Sequence, residues 1–245
     1  MIPIRDDNPH FLVPYAVYAI VGLNVLAWVF VQGLGMEPAL SRSVCTLGLV
    51  PGELLRTIAA GTAVQVGPGT YCIATATPDW FTMLSHMFLH GSWMHIIGNM
   101  WFLWIFGNSV EDAMGHLRFV VFYLLCGLAA AAVQMLSSPA SGLPMVGASG
   151  AIGGVMGAYV ALYPRAGVVT FVFLGIFARM MVIPAFVMLG YWFLLQLLSG
   201  AVAPTEGGGV AFWAHVGGFL GGLLLTPLFR DPDLLAAHRS VHGLR

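Results

Sequence analysis

The sequence predicts an all-α fold: a polytopic bundle of six transmembrane helices, with a hairpin of the first loop embedded in the membrane interface. Three observations predict it. Of 245 residues, 59% are hydrophobic and only 8% are charged, whereas a soluble domain carries about 25% charged residues. Six stretches approach the roughly 20 apolar residues that a spanning helix needs. One long connection, 34–92, ends in the run Trp80-Phe-Thr-Met-Leu-Ser-His-Met-Phe-Leu-His90, whose aromatic and aliphatic content suits a hairpin lying in the outer interface.

The first span is expected at 12–33. It follows a polar start, Met1-Ile-Pro-Ile-Arg-Asp-Asp-Asn8, and has no small-residue cleavage site, so it reads as an uncleaved span rather than a signal peptide. Cys45 and Cys72 fall in the connection that follows. They could pair if that side is oxidising, or remain unpaired packing cysteines. With Cys126 they make no metal-binding spacing. The remaining spans are expected at 93–111, 117–136, 149–163, 180–198 and 211–229, giving one membrane domain over 12–229. The apolar stretch 168–177 is only about ten residues long, which favours a re-entrant or interfacial segment; a seventh span is the alternative. The polar tail 230–245 is expected to lack order.

Orientation follows from nine arginines and no lysine. Six spans put both termini on one side, with Arg5, Arg118, Arg165, Arg179, Arg230, Arg239 and Arg245. Only Arg42 and Arg56 fall on the other. The positive-inside rule then makes residues 1–11 and 230–245 cytoplasmic. The composition fits a bacterial plasma (inner) membrane, so the lipid bilayer is the expected surrounding. A net charge of −1 gives no sign of a nucleic-acid partner.

Polar residues inside spans are costly and mark functional sites. They cluster at three helix starts: His95 and Asn99, Gly147-Ala-Ser149-Gly150, and His215. At about 1.5 Å per residue, Ser149 lies about 22 Å from the inner end of its helix, and His215 and Asn99 about 18 Å from theirs. In a hydrocarbon core about 30 Å thick, all three sit at one level below the outer surface. Gly153/Gly157 and Gly218/Gly222 are spaced so that helix backbones can touch. Tight packing of those two helices brings a hydroxyl within reach of an imidazole. A neutral imidazole can take the proton of a serine, so Ser149 and His215 read as nucleophile and general base. Alone, Ser149 would be a helix cap and His215 a buried histidine; their common depth favours catalysis. No acid is expected at that depth, so the pair reads as a dyad.

His95 and Asn99, four apart, share a helix face. With the backbone N–H groups at Ser149 they could hold an oxyanion; interhelical glue is the other reading. His86 and His90 are also four apart. Without an HExxH motif or a nearby carboxylate, no metal is expected there, and a loop-anchoring or water-retaining role is favoured.

These residues resemble the rhomboid intramembrane serine proteases. The marks are His86-x3-His90-x4-His95-x3-Asn99, Gly147-x-Ser149-Gly150, Ala214-His215-x2-Gly218-x3-Gly222, and Gly107-x3-Glu111-x3-Gly115. The resemblance covers roughly 80–229. It implies a six-helix fold, Ser149 as nucleophile, His215 as base and then acid, and His95, Asn99 and the Ser149 N–H as oxyanion donors. It implies no cofactor, and transmembrane protein substrates cut near their outer end, with the fifth helix and the cap after the fifth loop gating entry. A catalytically inactive membrane chaperone or adaptor is the alternative within the same resemblance. A transporter is disfavoured, because charged residues near the midplane and an inverted repeat are missing. Two departures stand out. The first loop reads Trp80-Phe81-Thr82 where many members have Trp-Arg, and Gly153 stands where many carry an aromatic against the imidazole. Trp213, Phe212 or another ring is the expected substitute.

Overall fold

The computed structural model of the chain describes residues 1–175, 177–202 and 209–241. It is mostly helical. Among the described residues three helices are long and apolar enough to cross a membrane: α6 (His116–Ser137), α8 (Ala185–Val202) and α9 (Phe212–Phe229). The chain is an integral membrane protein. Three further helices pack with them. They are α1 (Tyr15–Leu26), extended by a π-helical turn over Ala27–Val31, α5 (Trp93–Met114), and the short apolar α7 (Ser149–Leu162).

The packing centre is α7 against α9. Glycine is required there by close approach. A Cβ on Gly218 would overlap the Gly150 carbonyl, and one on Gly222 would overlap the Gly154 carbonyl. A Cβ on Gly150 would lie 2.5 Å from the Ala130 Cβ of α6. The two backbones therefore touch with no side chain between them. Lipid tails are as apolar as leucine, so this van der Waals contact, rather than apolar burial, drives the helices together. The core around it holds Val17, Leu103, Phe106, Phe122, Tyr123, Ile152, Val155 and Tyr159.

The end of the bundle at the α5 C-terminus is tied by carboxylates. Glu111 of α5 accepts from the Ala16 and Val17 N–H groups at 2.9 and 2.8 Å, capping the start of α1. Asp112 accepts from Phe11 and Leu12 at 2.7 and 2.8 Å. Arg118 pairs with Asp231 at 3.1 Å.

The expectation of an all-α fold is corrected by two sheets. The first is three-stranded, ordered β1 (Ile2–Asp6), β4 (Gly167–Leu174), β5 (Phe177–Pro184), and antiparallel throughout. The segment 168–177 is thus a strand and turn, apart from Ile176, which lies outside the described residues. Its β-branched and aromatic residues suit a strand, and Val168, Thr170 and Val172 alternate inward while Phe173 points out. The fifth apolar stretch, expected as helix from 180, is strand up to Pro184 and helix only from Ala185. The tail also has order: residues Pro232–Val241 form α10, whose buried His238 lies 3.1 Å from the Asn8 side-chain oxygen. Residues 242–245 of the tail lie outside the described residues.

The first loop folds over the opposite end as α2 (Ala39–Leu47), α3 (Pro51–Leu54), a hairpin of β2 (Ala63–Gly67) and β3 (Thr70–Ile73), and α4 (Thr82–Ser85). This hairpin is the second sheet. Cys45 and Cys72 are joined by a disulfide that staples α2 to β3. The buried Gln32 fixes the return of the loop: its amide bonds the His90 carbonyl and N–H, both at 2.7 Å. His86 and His90 are buried beside it.

Two measurements test this frame. Gly218→Ala or Gly222→Ala is expected to destabilise the bundle by about 1–3 kcal/mol through overpacking. Gly190→Ala, which meets open space on α8, serves as control. Equal thermal midpoints in detergent for all three would refute the backbone contact. The second concerns pH. Burial pushes His86 down to about 4, and burial together with the neighbouring His95 pushes His90 down to about 3. An unfolded histidine titrates near about 6.5. The unfolded chain therefore binds more protons below that pH. The stability from these two rings is full above about pH 6.5 and is lost as the pH falls toward about 4. A His86→Gln, His90→Gln variant should show a shallower fall in melting temperature over that window. An unaltered slope would count against neutral burial of the rings.

Candidate active site

Ser149 is the first residue of α7. The chain turns into the helix at Gly147, whose φ of 133° lies in the region that favours glycine. The helix start has no side-chain cap, so Ser149 does not serve as one. Its Oγ lies 2.7 Å from His215 Nε2 on α9. Both residues border a cavity of about 1120 Å³ that is also lined by His86, His95, Asn99, Gly147, Trp192 and Trp213. No carboxylate lines the cavity among the described residues.

The oxyanion candidates line the same cavity. His95 Nδ1 accepts from the Gly91 N–H at 3.3 Å, which leaves the hydrogen on Nε2. That Nε2 would be 2.7 Å from a Cβ on Gly147, and the same Cβ would be 3.4 Å from Ser149 Oγ. The missing side chain of Gly147 therefore opens the space between donor and hydroxyl. Asn99 is buried, and its side-chain N–H2 has no protein partner among the described residues. The first N–H groups of α7 are free of intrahelical partners, as at any helix start. His95, Asn99 and Ser149 thus bring three donors to the lining of one cavity.

The supporting residues have distinct places. The His86 carbonyl accepts from the Gly147 N–H at 2.9 Å, which holds the turn before Ser149. The His90 ring packs edge-on to His95, with centroids 5.0 Å apart. Gly150, Gly218 and Gly222 form the backbone contact described above. Gly153 faces the His215 carbonyl. Trp213 stands against Gly200 of α8, and another ring, Trp192, lies on the imidazole, at 5.7 Å and tilted by 37°. The first half of the fifth loop, 203–208, where a cap over the site was expected, lies outside the described residues.

One residue was missed from sequence. Gln196 of α8 places its side-chain oxygen 2.8 Å from His215 Nδ1. The signal was present, a lone amide in the apolar run Trp192-Phe-Leu-Leu-Gln196-Leu-Leu.

The profile of the Rhomboid domain matches residues 77–232. The Rhomboid protease GluP of Bacillus subtilis (strain 168) is 32% identical over 149 residues, 60% of this chain and 25% of that protein. The Rhomboid-like protein 11, chloroplastic, of Arabidopsis thaliana is 37% identical over 78 residues, 32% of this chain and 28% of its own. The Presenilin-associated rhomboid-like protein, mitochondrial, of Homo sapiens is 35% identical over 97 residues, 39% of this chain and 25% of its own. The matches thus span about a quarter of these relatives. The matched region runs from before α4 to the start of α10 and includes Ser149, His215 and all three oxyanion candidates, and the chain belongs to the rhomboid family.

Proposed function

We propose that the protein is an intramembrane serine endopeptidase that hydrolyses peptide bonds in or near the transmembrane segments of other proteins. The observation that carries this is the 2.7 Å contact of Ser149 Oγ with His215 Nε2, made beside three unspent donors. A hydroxyl this close to a ring nitrogen can lose its proton as it attacks a carbonyl. The resulting oxyanion would be held by the Ser149 N–H, His95 Nε2–H and the Asn99 amide, groups already fixed before reaction. His215 would then pass its proton to the leaving amine, and a water activated by the same imidazole would hydrolyse the acyl-enzyme. No cofactor enters these steps.

In this reading the bundle crosses the membrane six times, through α1, α5, α6, α7, α8 and α9. The termini are cytoplasmic and the cavity opens to the outer side of a plasma (inner) membrane, as in bacteria. Two independent features support that orientation. The arginines favour the inner end, and the Cys45–Cys72 disulfide in the first loop belongs to an oxidising compartment.

The test is a fluorophosphonate label together with a model transmembrane substrate. Wild-type protein should be labelled and should cleave, and Ser149→Ala and His215→Ala should abolish cleavage with unchanged melting temperature. Asn99→Ala should lower kcat about 100-fold, the typical effect of losing one oxyanion donor, with little change in KM. A folded wild-type protein that neither labels nor cleaves, yet binds transmembrane segments, would instead favour a membrane chaperone or adaptor.

A further inference from the structure

We propose that Gln196 is a positioning residue for His215: its side-chain carbonyl holds a proton on Nδ1 and so leaves Nε2 free to accept from Ser149. This rests on the proteolytic reading above and assigns the part that α8 plays in it.

The amide can face the imidazole in only one sense. Gln196 Nε2 lies 3.3 Å from the Trp192 carbonyl one turn earlier, and a carbonyl takes only donors. The amide nitrogen therefore points back along α8, and Oε1 points at His215 Nδ1, 2.8 Å away. An oxygen acceptor there requires Nδ1 to carry the hydrogen. A neutral imidazole has one ring hydrogen, so Nε2 presents its lone pair to the Ser149 hydroxyl at 2.7 Å. This is the tautomer a general base needs.

The surroundings leave Gln196 no other evident use. It is the one polar residue among those buried on α8, the others being Ala185, Met188 and Leu189. Most of α8 is apolar and outward-facing, with Leu194, Leu195 and Leu198 exposed on either side of it. An amide in such a helix is costly without a partner, and its partner is the imidazole. Trp192, on the same face, lays its ring against His215. Helix α8 thus grips the base twice, by a ring contact and by a hydrogen bond.

The choice of an amide over a carboxylate has a consequence. During attack the proton passes from Ser149 Oγ to Nε2, while Nδ1–H stays on the ring and keeps its bond to Gln196. The amide supplies orientation and tautomer without adding negative charge in the low-dielectric site. Replacing it with a carboxylate would favour the imidazolium.

The experiment uses the full chain in detergent. The acylation rate by a fluorophosphonate is followed against pH for wild type, Gln196→Met and Gln196→Glu, beside their melting temperatures. Nitrogen-15 spectra of histidine-labelled wild type, with His215 identified by its loss in His215→Asn, report the tautomer directly. We expect Gln196→Met to slow acylation on the order of 10- to 100-fold, less than the roughly 100- to 10,000-fold that a general base contributes in full, because the base itself remains. Gln196→Glu should recover part of that rate, with the acid limb of its profile moved to higher pH. The wild-type spectrum should show a protonated Nδ1. A purely structural amide would alter melting temperature and leave the pH profile in place. Wild-type rates and profile in Gln196→Met, or a bare Nδ1 in wild type, would overturn the proposal even in an active protease. Absence of labelling in folded wild type would overturn the proteolytic reading instead, and the nitrogen spectrum would still decide the hydrogen bond.

Discussion

The rest of the site depends on the contact of two helix backbones. Gly218 and Gly222 of α9 sit against the carbonyls of Gly150 and Gly154 of α7, with no room for a methyl group. Gly150 adjoins Ser149, and Gly218 is three residues from His215. The register of this contact therefore sets the height of hydroxyl and imidazole relative to one another. A shift of one residue would move one of them by about 1.5 Å along its axis and turn it away by roughly 100°. Packing in lipid gains little from apolar burial, so the fit of the two surfaces has to define the register by itself.

The molecule keeps its polarity in two places of different character. At the end of the bundle away from Ser149, Glu111 and Asp112 are buried carboxylates, each satisfied by two backbone N–H groups. Such bonds to charged acceptors are the strong ones, and they seat α1 and the N-terminal segment on α5. At the other end, the cavity is lined by groups with no net charge when histidine is neutral: Ser149, His215, Asn99, His95 and the amide of Gln134, whose oxygen accepts from Ala214 N–H at 3.2 Å. A site made of neutral dipoles avoids the desolvation cost of a buried ion pair and still presents donors fixed in direction. The disulfide and Gln32 hold the first loop above this cavity.

Much of this could be read from residue spacing, and the exceptions have physical causes. The helix starts bearing His95, Asn99, Ser149 and His215 announce themselves because polar groups are rare in apolar runs. The segment 168–174 misleads because a short apolar run suits a strand, a buried helix or an interfacial segment equally well until its pairing partners are known. Those partners, β1 and β5, lie at opposite ends of the chain or hidden within an expected helix. The tail misleads because its polarity says nothing of Asn8 and Asp112, which receive His238. Trp213 is close to His215 in sequence but is carried away from the ring by the helix, while Trp192, on another helix, meets it.

By itself the sequence determined the membrane class and the helices that bear Ser149, His215, His95 and Asn99. Composition, run length and helical rise are local properties, so they survive without a fold. Only the tertiary structure decided that the imidazole meets Ser149 on one nitrogen and the Gln196 amide on the other, that Trp192 covers it, and that two sheets flank the bundle. Those outcomes depend on the rotation of each helix about its axis and on pairing between distant segments, which spacing along a single chain does not encode.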